Sequence, residues 1–115
     1  MIDVDVWVRG TSEARTLPIM GVTGAADAWT DSDVRTLLTQ MLMTLERAKN
    51  PGSDAPVVAL RGFSWIVSSS EGGVLLHLEM PMGTASAGPF AIAEARLTEM
   101  VGRVMAGPTE AERVH

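Results

Sequence analysis

The sequence predicts an α+β fold, an antiparallel sheet with two helices on one face in the order β(β)αββα, and three observations carry that prediction. Residues 2–9 alternate with a period of two, residues 31–49 bear an apolar stripe at helical spacing, and residues 56–80 read as two strands around a Ser/Glu/Gly turn. The 115 residues suit one domain, 1–115, and a 46% apolar content is enough to bury a core without a disulfide or a structural metal.

In the first strand Val4, Val6 and Val8 share one face, while Asp3, Asp5, Trp7 and Arg9 share the other. Residues 10–14 form a turn, and residues 16–22 return as a second strand. Pro18 cannot donate to a ladder and confines that strand to an edge. Thr30 is placed to cap the first helix, with Asp33 at N3 completing a capping box and Trp29 and Val34 spaced as a hydrophobic staple. Val34, Leu37, Leu38, Met41, Leu42 and Leu45 form its buried stripe, and Asn50-Pro51-Gly52 stops it.

Residues 56–68 read as a strand whose phase breaks at Gly62. Val58 and Leu60 hold one register and Phe63, Trp65 and Val67 the next, so a bulge at Gly62 would bring all five to one face. A turn at residues 69–73 leads into a strand with Val74, Leu76, Leu78 and Met80 on one face and Leu75, His77 and Glu79 on the other. The small residues of 81–89 read as a loop. Pro89 then suits the first position of a helix over 89–106, with Phe90, Ala93, Leu97, Met100, Val101 and Val104 as its stripe and Glu99 and Arg103 paired at i, i+4. Gly107-Pro108 would end it, leaving 107–115 as a flexible tail. Overlaying Trp7 on Trp65, a shift of 58 residues, also aligns Ser12-Glu13 with Ser70-Glu71. A ββα duplication and a chance recurrence of patterning both fit that overlay.

Composition narrows the function. The chain has no cysteine, which excludes disulfides, thiolate nucleophiles and cysteine zinc sites. Net charge is −5, with no basic stripe, so nucleic acid is not an expected partner. The N-terminal residues lack the basic and apolar regions of a signal peptide, and no apolar run is long enough to span a bilayer; a cytoplasmic location without membrane contact is the expectation.

Candidate chemistry is sparse. Asp27, Asp31 and Asp33 gather near the first helix start, where negative charge is favourable, but they lack the EF-hand spacing. His77 lies beside Glu79 on an outward strand face with no evident nucleophile or third ligand. Gly83, Thr84, Ser86 and Gly88 make a candidate ligand loop before a helix N-terminus, without the Gly-Lys-Ser/Thr of a phosphate loop. Of the methionines, Met41 and Met100 fall on core stripes, whereas Met20, Met43, Met80 and Met82 suit either gap-filling or an adaptable surface. Trp7, on the face of Asp3 and Asp5, is the leading candidate for an exposed interface anchor. No catalytic residue, metal or cofactor is expected, and protein–protein interaction is the leading reading.

Four stretches resemble the regulatory (coupling, or effector) proteins of soluble diiron monooxygenases: residues 19–24 (Ile-Met-Gly-Val-Thr-Gly), 61–67 (Arg-Gly-Phe-Ser-Trp-Ile-Val), 89–92 (Pro-Phe-Ala-Ile) and 101–105 (Val-Gly-Arg-Val-Met). The resemblance implies a cofactor-free protein that docks on a hydroxylase, with Thr98, Glu99 and Met100 at the docking face. It also implies a helix over 81–89 and extended chain through Gly102-Arg103, opposite to the local reading of both segments. Two other classes stay open: a small-ligand-binding domain or minor enzyme using a cleft at loop 81–89, and a self-assembling or immunity-type interaction domain.

Overall fold

The computed structural model describes residues 2–19, 21–22, 24–50 and 62–113, the segment 107–113 as helical backbone alone. Strands β1 (Ile2–Val8) and β2 (Arg15–Ile19) form a hairpin, and a 3-10 turn at Ala26–Ala28 leads into helix α1 (Asp31–Lys49). Strands β3 (Ser64–Ser70), β4 (Gly73–Met80) and β5 (Gly83–Phe90) follow as a meander, and helix α2 (Glu94–Arg113) ends the described chain. The five strands are antiparallel throughout, in the order β2-β1-β5-β4-β3. Among the described residues, no helix is long and apolar enough to cross a membrane.

The capping box forms as its residues predict. The Asp33 amide donates to Thr30 Oγ1 at 3.3 Å, and the Thr30 amide donates back to Asp33 Oδ2 at 2.9 Å, which satisfies two donors that the first helical turn leaves free. Trp29 and Val34 are both buried, and Trp29 meets Phe90 edge to face with centroids 4.9 Å apart. Leu37, Leu38, Met41, Leu42 and Leu45 are fully buried, each such side chain contributing roughly 1.5–3 kcal/mol relative to an exposed one. α1 packs on α2 and lies across β1, β2 and β5, while α2 lies against β3. Both helices therefore cover the same face of the sheet.

Two inward rows across the sheet show how the core is built. Val6, Ala85, Leu78 and Trp65 occupy one, and Val4, Ala87, Leu76 and Val67 the next. From Gly83 to Ala87 the central strand β5 contributes Gly83, Ala85 and Ala87 to this face, small residues that let α1 approach closely, and it adds the larger Phe90 at its end.

Strand β5 corrects the reading of 81–89 as a loop. Only Pro81-Met82 makes the turn, and the observed order is ββαβββα. The period-two alternation is present in Gly83 to Ala87, but its inward residues are too small to register as apolar. Pro89 is likewise not the start of a helix. Val74 pairs with Phe90 and Leu76 with Ala87, so Gly88 and Pro89 together oppose Leu75 in a bulge, where a proline costs the ladder nothing. The second helix starts at Glu94 rather than at residue 89, and it continues through Gly107-Pro108 to Arg113. Helical periodicity was the better guide over 94–106: the extended chain implied there by the monooxygenase resemblance is absent, as is its helix over 81–89.

Val58 and Leu60 lie outside the described residues, as does Met20. Trp7 points away from the helices and Trp65 toward them, so the two tryptophans matched by the duplication overlay sit on opposite faces. Met80 and Met82 pack partly buried against the core, as gap-filling requires.

Candidate functional site

Among the described residues no helix covers the second face of the sheet, and the alternation of the strands dictates what that face displays. One row across it runs Thr16, Asp5, Ser86, His77 and Ile66; a second runs Trp7, Thr84, Glu79 and Ser64. Asp3 and Leu75 flank these rows. Thr16 Oγ1 donates to Asp5 Oδ1 at 2.6 Å, and Ser86 Oγ lies 2.7 Å from His77 Nδ1. Trp7 is half-buried, its indole N–H donates to the Thr11 carbonyl at 3.0 Å, and the Arg9 guanidinium carbon stands 6.0 Å from its ring centroid. Ile66 is 62% exposed and is the one large apolar side chain so exposed among the described residues.

Two shallow depressions share the His77–Ser86 pair as a common wall. One, of about 330 Å³, is bounded by Asp5, Trp7, Leu75 and Thr84; the other, of about 260 Å³, by Ser64, Ile66, Glu79 and Thr84. A third, of about 490 Å³, lies at the sheet end between Arg9, Phe63, Glu79 and Pro81.

A serine bonded to a histidine invites comparison with a nucleophile and its base. The geometry here lacks the remaining parts. Asp5 adjoins Ser86 rather than the far side of the imidazole, and among the described residues no carboxylate bonds the ring as a triad requires. Ser86 also sits within the central strand, paired with Asp5 of β1 on one side and His77 of β4 on the other, where backbone amides serve the ladders rather than an oxyanion. Among the described residues, no group of three or more His, Cys, Asp or Glu is placed to hold a metal.

The residues singled out from sequence are separated by this structure. Gly83, Thr84, Ser86 and Gly88 belong to strand β5 and not to a ligand loop; Gly83 is buried and Thr84 and Ser86 face outward. Trp7 is on the open face, though tied down rather than free. Thr98 and Glu99 are exposed on α2, on the other side of the molecule, and Met100 is 2% exposed in the core. Asp31 pairs with the second helix. It accepts two bonds from Arg103, at 2.9 and 3.0 Å, tying α1 to α2, and this pairing holds the carboxyl below its usual range and the guanidinium above its own. Sequence reasoning missed Ile66, whose signal was an apolar residue out of phase with Phe63, Trp65 and Val67, and it missed the Ser86–His77 pair because Ser86 was assigned to a loop.

No protein-family model, curated protein or solved structure matches this chain.

Proposed function

We propose that this protein is a non-catalytic binding component whose open sheet face docks on another protein. The observation that carries the reading is the one-sided layering: both helices cover one face, and the other presents Trp7, Leu75 and Ile66 among Asp3, Asp5 and Glu79. Aromatic and aliphatic groups held on a rigid sheet suit interface anchors. The three carboxylates, on a chain of net charge −5, select a partner surface that places Arg or Lys around an apolar patch. A reducing compartment accords with a chain without cysteine.

The test pairs two charge reversals. Asp5→Lys with Glu79→Lys should abolish capture of the partner, and raised salt should weaken capture by the native chain. Arg47→Glu, on the exposed side of α1, should leave it unchanged. Equal effects from both variants would contradict the reading.

Coupling of a soluble diiron monooxygenase is a second reading, supported by the four short sequence motifs, and it would dock through α2 rather than through the open sheet face. Thr98 and Glu99 would meet the hydroxylase, with Met100 securing α2 from beneath. The helical state of α2 weighs against this reading. Co-purification with a diiron hydroxylase encoded alongside tests it.

A further inference from the structure

We infer that strand β3 is a pairing edge, and that its occupant is the β3 of a second copy of this chain. The two edges of the sheet are built differently. β2 is five residues long and carries Pro18 and Arg15, both of which discourage strand addition. β3 is seven residues long, Ser-Trp-Ile-Val-Ser-Ser-Ser, with no charge, proline or glycine. It pairs with β4 along its whole length, from Ser64 opposite Glu79 to Ser70 opposite Gly73. Among the described residues no strand pairs with its outer edge, so a regular row of amides and carbonyls faces outward there. Sheets of natural proteins ordinarily guard such an edge; this one carries instead the most exposed large apolar side chain described, Ile66.

The second copy is selected by self-complementarity and by charge. In an antiparallel pair with its two-fold axis at Ile66, Ile66 faces its own counterpart on the open side of the sheet. Trp65 then faces Val67 of the second copy on the helix side, and Ser64 faces Ser68. Apolar meets apolar in every large pair, and no charges oppose, which is what cross-strand stability requires. Two chains of net charge −5 repel over most of their surfaces, and an uncharged strand is where they approach at least cost. The closed two-fold pairing joins two five-stranded sheets into one of ten strands and leaves both open faces free. This inference goes beyond the docking of a partner on the open face, and either can fail alone.

The experiment is sedimentation of the full chain, followed by two variants. The native protein should sediment at twice the chain mass, and Ile66→Lys should sediment as a monomer with an unchanged circular dichroism spectrum, since Ile66 is exposed in the single chain. The chain has no cysteine, so Ile66→Cys gives an independent reading: oxidation should link two copies through that position, whereas Ser70→Cys should not link. Hydrogen exchange of the β3 amides that point away from β4, every second one, should be slow in the native protein and fast in Ile66→Lys. A native chain that stays monomeric up to its solubility limit would overturn the inference. So would a dimer that survives Ile66→Lys and links equally through both cysteine variants.

Discussion

Gly83 stands opposite Val8 in the β1–β5 ladder, so close to the Trp7 carbonyl that a β-carbon on Gly83 would collide with that oxygen. Its φ of +153° is also one that side chains rarely adopt. Gly83→Ala must therefore either open the central ladder or strain the backbone, and a loss of at least about 2 kcal/mol is expected in urea unfolding. Thr84→Ala, one residue on and facing outward, should cost well under half of that.

The core under α1 makes a second prediction. Leu38 is fully buried where the helix meets the sheet. Leu38→Ala should lose about 2–5 kcal/mol, because the lost transfer energy and the cavity add. Met100→Ala should also destabilise the fold, and it is unsuited to probing an interface for that reason.

The capping box can be read directly. Removing the Thr30 hydroxyl leaves the Asp33 amide without its partner, so Thr30→Ala should lose about 1 kcal/mol, measured as a lower urea midpoint with an unchanged slope.

The Asp31–Arg103 bridge predicts a pH dependence of definite sign. The folded Asp31 carboxyl titrates below its ordinary value of 3.8, so its contribution is complete above that value and disappears as pH falls through the lowered one. The stability difference between the native chain and Asp31→Asn should be constant at neutral pH and vanish in acid. Both groups are solvent-exposed, so the difference should also shrink with salt. A difference that grows on acidification would contradict the assignment.

These expectations separate what local sequence could reveal from what it could not. α1 was legible to the residue because its cap, staple and stripe all lie within one stretch of chain. The β3–β4 hairpin was legible over its described part because Trp65, Val67, Leu76 and Leu78 alternate strongly. β5 was not, because Gly83, Ala85 and Ala87 owe their inward positions to the closeness of α1, a tertiary fact that hydrophobicity does not encode. The open face was half legible. Asp3, Asp5, Trp7, His77 and Glu79 were assigned outward, but Ser86 and Ile66 join them only once β5 is a strand and β3 an edge.

The central claim is that the open sheet face, and not the helical side, meets the partner. Its most direct measurement is site-specific photo-crosslinking in living cells from Thr84, in the middle of that face, compared with Arg47 on α1. The account predicts a discrete adduct from Thr84 that disappears when Asp5 and Glu79 are both changed to Lys, and none from Arg47. An adduct from Arg47 alone, or a Thr84 adduct indifferent to the charge reversals, would contradict it.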